Sequence, residues 1–136
     1  MLALIVDDSK STRMILGHFL RQMNFQVAEA ANGREGIEQL RQLHPRLALI
    51  DWNMPDVNGL EFVRAVRADK SYAALRLVIV TSEEDQNQIA RALEAGADGY
   101  IRKPFTKDMI LEKLQEFGIG PLRANGLDRA CATGRS

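Results

Sequence analysis

The chain has 136 residues, of which 46% are hydrophobic, and this length and composition suit one compact domain with a substantial core. Its 18 Lys and Arg residues equal its 18 Asp and Glu residues, so the charge balance does not favour a general binder of nucleic acid or acidic membranes. Cys131 is the only cysteine, which excludes an intrachain disulfide and predicts a reducing, cytoplasmic setting. No apolar run approaches the ~20 residues of a membrane span, and the N-terminus lacks a signal-peptide pattern.

Short apolar runs alternate with segments of helical pattern along the chain. The runs cover residues 3–6, 25–30, 47–50, 77–80 and 99–102. The first, third and fourth runs are continuously apolar, as expected of strands buried on both faces, whereas the second alternates like an edge strand. This pattern predicts an α/β fold, a (βα)5 doubly wound parallel sheet with the flavodoxin-like strand order 2-1-3-4-5.

Each helical segment is assigned a core face from the spacing of its apolar residues. The predicted faces are Met14, Ile15, Phe19, Leu20 and Met23; Ile37, Leu40 and Leu43; Leu60, Val63 and Val66; Ile89 and Leu93; and Met109, Ile110, Leu114 and Phe117. The fourth helix is expected to begin with the acids 83–85 in its first turn. Residues 1–120 are predicted to form the domain, and residues 121–136, without apolar periodicity, a linker stub or flexible tail.

Polar residues interrupt the apolar runs at their carboxyl ends. Asp7 and Asp8 follow the first run, Asp51 the third, Thr81 the fourth and Lys103 the fifth. Because these runs are neighbours in the predicted order, and parallel neighbours lie ~4.8 Å apart, the side chains should share one pocket. Each residue alone has an ordinary explanation as a helix cap, a turn former or a surface residue. Their joint occurrence at neighbouring strand ends favours a functional site.

The residue types at these strand ends favour phosphate chemistry on Asp51. Three carboxylates in one pocket repel one another, and Lys103 offsets only one charge. Carboxylate oxygens suit Mg²⁺ better than zinc, and His18 and His44 fall on a helix and at a helix end, away from the pocket. Asp51 would attack phosphorus, while the metal and Lys103 neutralise the phosphoryl oxygens and Thr81 donates a hydrogen bond.

The same motifs carry a resemblance to a known family. They are Val6-Asp7-Asp8, Asp51-Trp52-Asn53-Met54-Pro55, Asn58-Gly59, Val80-Thr81, Ala95-Gly96-Ala97-Asp98-Gly99-Tyr100 and Lys103-Pro104-Phe105-Thr106. Over residues 1 to about 118 the sequence resembles the receiver domains of two-component response regulators, in particular the CheY-like receivers of chemotaxis. The resemblance implies that Asp51 accepts phosphate from a histidine kinase or phosphotransfer protein.

The resemblance also implies a metal site and a switch. Asp7, Asp8, Asp51 and the backbone carbonyl of Asn53 would hold Mg²⁺, and Lys103 would pair with the phosphoryl group. Phosphorylation would move Thr81 and turn Tyr100 inward, and residues Asn53 and Glu83 would tune the phosphate lifetime. The fourth helix, fifth strand and fifth helix would then bind a downstream protein target. The expected protein is a switch that assists its own phosphorylation rather than an enzyme. It should be a monomer or weak dimer, with no direct nucleic-acid contact and no membrane insertion.

Three interpretations remain open at this point. The chain is either a stand-alone switch or the receiver part of a larger regulator with a DNA-binding or enzymatic output domain. A Mg²⁺-dependent aspartyl-phosphate phosphatase of the haloacid-dehalogenase type is a weaker alternative. Such enzymes place Asp-x-Asp after their first strand, whereas Asp7 and Asp8 are adjacent here and no cap insertion follows.

Overall fold

Five parallel strands form one sheet in the computed structural model, in the order β2-β1-β3-β4-β5. The structure describes residues 1–52, 54, 57–82 and 86–119. The strands are β1 (Leu2–Val6), β2 (Gln26–Ala30), β3 (Leu47–Asp51), β4 (Arg76–Thr81) and β5 (Gly99–Arg102). The helices are α1 (Lys10–Gln22), α2 (Gly33–Leu43), α3 (Gly59–Arg67), α4 (Gln86–Ala95) and α5 (Lys107–Glu116), with a 3-10 helix at Lys70–Tyr72. The predicted fold class and strand order are confirmed.

Alternate residues of the central strands enter two separate core layers. On β1, Leu4 and Val6 pack in a layer with Phe62 of α3, whereas Ala3 and Ile5 pack in a layer that contains residues of α1 and α5. Both faces of the sheet are therefore covered, which explains why β1, β3 and β4 are almost entirely buried and read as continuous apolar runs. No helix within the described ranges has the length and hydropathy needed to cross a membrane.

Side-chain caps and left-handed residues set the ends of the helices. The side chains of Ser9, Asn32, Asn58 and Thr106 accept hydrogen bonds from backbone N–H groups in the first turns of α1, α2, α3 and α5. Beyond the helix ends, Asn24, His44 and Gly96 have positive φ angles of 69°, 48° and 123°. These punctuating residues agree with the predicted boundaries, and residues 83–85, the predicted start of α4, lie outside the described residues.

The predicted helix faces are wrong at five positions, which are exposed: Met14, Ile15, Leu43, Leu93 and Met109. On α1 the buried line runs through Leu16 and Leu20, and a residue two positions before Leu16 points to the opposite side of a helix. On α4 the small Ala92 is buried instead of the larger Leu93. Spacing alone placed the largest apolar residues inside, whereas the approach of each helix to the sheet selects the face.

Arg67 of α3 connects several elements at the amino ends of β4 and β5. Its guanidinium donates to the carbonyls of Gly96, Tyr72 and Leu75 at 2.9, 2.7 and 2.7 Å, and to Oδ2 of Asp98 at 2.8 Å. The same Asp98 oxygen accepts from the backbone N–H of Leu77 at 2.9 Å. This network lies at the opposite end of the strands from Asp51 and joins α3, the segment before β4 and the end of α4.

Candidate functional site

The predicted site residues meet at the carboxyl ends of the strands. Asp51 ends β3 and lies beside Val80 of β4, while Thr81 ends β4 beside Arg102 of β5. Lys103 follows β5 directly, and its backbone N–H donates to the carbonyl of Thr81 at 2.8 Å. The expected gathering of these residues at one edge of the sheet is therefore observed.

Three carboxylates form a tight cluster at this edge. One oxygen from each of Asp7, Asp8 and Asp51 lies within 4.8 Å of the others, which makes them the group of potential metal ligands found among the described residues. Asp7 and Asp51 are 1% and 6% exposed, whereas Asp8 is exposed. The ammonium of Lys103 lies 3.5 Å from Oδ1 of Asp51 and 3.8 Å from Oδ2 of Asp7. One lysine thus faces up to three negative charges.

The environment of Asp7 suits a divalent cation. Its Oδ1 accepts a hydrogen bond from the backbone N–H of Ser9 at 2.8 Å, but its buried Oδ2 has no hydrogen-bond partner. Burial raises the pKa of Asp7 above its usual value, the Asp8 charge acts in the same direction, and the Ser9 bond and the Lys103 charge oppose them. A divalent cation would supply the missing positive charge and the missing ligand for Oδ2, so these residues fit Mg²⁺.

Close packing beneath the site fixes the chain after Asp51. The backbone N–H of Trp52 donates to the carbonyl of Val80, and the N–H of Gly59 donates to the carbonyl of Trp52. A Cβ on Gly59 would lie 3.0 Å from both Cα and Cε3 of Trp52, so only glycine allows this approach without a shift. Trp52 is 9% exposed and lies next to Asp51, which makes it a natural optical probe of the site.

Thr81 and Tyr100 border an apolar pocket beside the cluster. Thr81 is buried, Tyr100 is half-buried, and both line a narrow pocket that is partly open to solvent. The other lining residues include Trp52, Ile79 and Ile89. The ammonium of Lys113 on α5 lies 5.8 Å from the centre of the Tyr100 ring. Tyr100 therefore lies between the pocket beside Thr81 and the Lys113 side chain of α5.

Some predicted residues lie elsewhere or outside the described chain. Asn53 and Glu83 are not among the described residues. His18 and His44 are exposed, and His44 stacks on Tyr72 with 6.3 Å between ring centres. Sequence reasoning missed Arg13, whose guanidinium contacts the carbonyl of Asp7. The sequence places Arg13 one helical turn after the cap residue Ser9, but no local pattern predicts the direction of its side chain.

Comparison with known families identifies the family of the domain. The model of the response regulator receiver domain matches residues 3–115. The chain belongs to this receiver domain family. It is 39% identical over 114 residues to the chemotaxis protein CheY of Pseudomonas aeruginosa, covering 83% of this chain and 92% of that protein. It is 41% identical over 115 residues to a CheY homolog of Campylobacter jejuni, covering 83% and 88%.

Solved structures support the same assignment of this receiver. The chemotaxis response regulator CheY4 of Vibrio cholerae superposes with a TM-score of 0.80 at 33% identity, covering 85% of this chain and 97% of that chain. A two-component response regulator with a GGDEF domain superposes with a TM-score of 0.78, and the match covers 50% of that longer chain. The resemblance inferred from the motifs is confirmed. The protein is a receiver homologous to CheY-type response regulators of phosphorylation-dependent, two-component signalling, and its acidic pocket is compatible with Mg²⁺.

Proposed function

We propose that Asp51 is the phosphoacceptor of this receiver and that a histidine kinase or phosphotransfer protein is its donor. The observation that carries the proposal is the arrangement around Asp51. Two further carboxylates lie within 4.8 Å of it, and the ammonium of Lys103 lies 3.5 Å from its Oδ1. Such a site neutralises a transferring phosphoryl group by position and charge, which is most of what phosphoryl transfer requires.

Asp51 acts as the nucleophile in the transfer. Its carboxylate oxygen forms a bond to phosphorus as the bond from phosphorus to the donor imidazole nitrogen breaks, and the imidazole leaves with the bonding electron pair. Asp7, Asp8, Asp51 and the carbonyl of Asn53 would hold Mg²⁺, which when bound supplies positive charge to the phosphoryl oxygens. Lys103 pairs with one phosphoryl oxygen, and the hydroxyl of Thr81 donates a hydrogen bond to another.

Phosphorylation switches the surface formed by α4, β5 and α5. Thr81 moves toward the phosphoryl group, and Tyr100 turns into the space that it borders with Thr81. The apolar pocket that both residues line supports this step, because the Thr81 and Tyr100 side chains border one space. A downstream protein target binds this surface with an affinity that depends on the change. The receiver works as a monomer or weak dimer, with no direct contact to nucleic acid and no insertion into a membrane.

Trp52 reports both steps of the proposed reaction. Its fluorescence should change on addition of Mg²⁺, and again on addition of acetyl phosphate as a small phosphodonor. Asp51→Asn should abolish the second change and the incorporation of phosphate measured by intact mass. Asp69→Asn, the same substitution at an exposed acid between α3 and the 3-10 helix, should behave as wild type. Incorporation into Asp51→Asn at the wild-type level would contradict the proposal.

Residues outside the described ranges set further properties of the receiver. Asn53 and Glu83 tune the lifetime of the phosphorylated state, and residues 121–136 form a tail outside a receiver unit of residues 1–120. The protein acts as a switch rather than as an enzyme on a separate substrate. With a DNA-binding or enzymatic output domain on the same polypeptide, it would be the receiver part of a larger regulator. Turnover of p-nitrophenyl phosphate by the purified protein would revive the phosphatase alternative.

A further inference from the structure

Arg13 makes two contacts that the proposed phosphoryl transfer does not use. On α1, its Nη1 donates to the backbone carbonyl of Asp7 at 2.6 Å. Its Nε donates to Oε1 of Glu29 on β2 at 3.0 Å. The Arg13 side chain is 15% exposed, so its guanidinium is largely enclosed between the edge strand β2 and the backbone of Asp7.

The contact from Arg13 completes the fixation of Asp7. The N–H of Asp7 donates to the carbonyl of Ala30 at 3.1 Å, and its Oδ1 accepts from the N–H of Ser9. With the carbonyl held by Arg13, the polar groups of Asp7 are engaged in hydrogen bonds except Oδ2, which faces Lys103 at 3.8 Å. A change in ψ of Asp7 would move Asp8, and the Ser9 N–H that holds Oδ1 of Asp7, relative to the Asp7 side chain.

We propose that Arg13 is a positioning residue for Mg²⁺ binding. It holds the carbonyl of Asp7 and thereby sets the direction in which the carboxylates of Asp7 and Asp8 face Asp51. This inference rests on the proposed function, because it assigns Arg13 a role at the same metal site. Arg13 does not touch the cation and acts only through the backbone of Asp7.

Charge and positioning make opposite predictions for the loss of Arg13. A positive charge near a cation site repels the cation, so charge alone predicts that removal of the guanidinium tightens Mg²⁺ binding. Loss of a hydrogen bond that orients a metal ligand weakens binding, typically by about 10- to 100-fold. We expect Arg13→Met to raise the dissociation constant for Mg²⁺ by ~10-fold, the low end of that range, because the Ser9 and Ala30 contacts remain.

The experiment is a Mg²⁺ titration followed by Trp52 fluorescence in wild type, Arg13→Met, Arg13→Lys and Arg21→Ala. Arg13→Lys keeps the charge but cannot bridge the carbonyl and Glu29 with a planar fork, so its affinity should fall by a smaller factor. Arg21→Ala removes an exposed arginine from the same helix and should leave the affinity unchanged. Urea unfolding in EDTA, measured in parallel, separates a loss of fold stability from a loss of Mg²⁺ affinity in the folded protein.

The possible outcomes decide between the two proposals. Unchanged or tighter Mg²⁺ binding by Arg13→Met overturns the positioning role, as does an equal loss in Arg21→Ala. If Arg13→Met does not fold, Arg13→Lys carries the test, and an unchanged affinity there overturns the inference. A wild-type protein that shows no saturable Mg²⁺ response overturns the proposed metal site itself. If wild type responds normally to Mg²⁺ and the Arg13 variants bind it with the same affinity, only the positioning role is overturned.

Discussion

Replacement of Arg67 by methionine should destabilise the fold far more than replacement of the neighbouring Arg76. Arg67 donates to three backbone carbonyls and to Asp98, and the two side chains of this ion pair are 18% and 21% exposed. Arg76 pairs with the other oxygen of the same aspartate at 3.2 Å, but its side chain is 44% exposed. The two arginines therefore share one acceptor and differ mainly in burial and in the number of contacts.

The expected magnitudes follow from this difference in burial. Hydrogen bonds from a charged donor contribute about 1.5–3 kcal/mol each, but desolvation of the guanidinium offsets much of their sum. Removal of one partner from a fully buried ion pair costs about 3–5 kcal/mol. Because Arg67 and Asp98 are only partly buried, we expect Arg67→Met to cost about 3 kcal/mol, the low end of this range. An exposed pair contributes about 0–1 kcal/mol, so Arg76→Met should cost no more than that. Domains of this size are stable by about 5–15 kcal/mol, so Arg67→Met should remain folded with a small margin.

Urea denaturation at 25 °C, followed by Trp52 fluorescence and circular dichroism, measures both variants. With a slope of about 2 kcal/mol per molar urea, a loss of about 3 kcal/mol lowers the midpoint by about 1.5 M. An unchanged slope would show that the denatured state is the same in both variants. A loss below about 1 kcal/mol for Arg67→Met, or a loss equal to that of Arg76→Met, would refute the assigned role of the network.

Two further predictions concern packing and pH. Gly36→Ala should destabilise the fold by about 1–2 kcal/mol, because the new Cβ would lie 2.9 Å from Phe62. Gly17→Ala should stabilise the fold by up to about 1 kcal/mol, because the nearest atom to its new Cβ is the flexible end of the Arg21 side chain. Urea denaturation of both variants checks that the two changes in stability have opposite signs. Asp7→Asn in EDTA should be more stable than wild type at pH 7. Folding raises the pKa of Asp7 above 3.8, so the stability of wild type falls as pH rises from 3.8 through the pKa of the folded state. Below pH 3.8 the carboxyl is protonated in both states, so the extra stability of Asp7→Asn should vanish there. Extra stability that persists below pH 3.8 would contradict this cause.

The sequence was sufficient for the strand order and for the gathering of the site. Continuous apolar runs mark strands buried on both faces, and parallel strands end at a common edge, so Asp51, Thr81 and Lys103 had to converge. Helix faces were less predictable. On α1 the apolar residues Met14 to Leu16 are consecutive, and the spacing of a helix does not by itself decide which of them meets the sheet.

Long-range polar contacts were beyond the reach of sequence patterns. Arg67 and Asp98 are 31 positions apart, and Arg13 reaches Glu29 over 16 positions. The chain has 18 basic residues, and any of them is a reasonable surface residue when seen alone. Only the packing of α3 against the end of α4, and of α1 against β2, turns these two arginines into enclosed donors.

The two ends of the sheet make opposite contributions to stability. At the carboxyl ends, Asp7 is buried with an oxygen that lacks a hydrogen bond and a raised pKa, so the metal-free site opposes folding at neutral pH. At the amino ends, the Arg67 and Asp98 network joins several elements through satisfied, charge-assisted hydrogen bonds. A substitution such as Asp7→Asn that relieves the first end removes a ligand oxygen from the proposed metal site. The unfavourable energy at the carboxyl ends therefore comes from the acidic cluster that the proposed metal site requires. The fold tolerates it because the Arg67 and Asp98 network stabilises the opposite end of the sheet, away from the proposed chemistry.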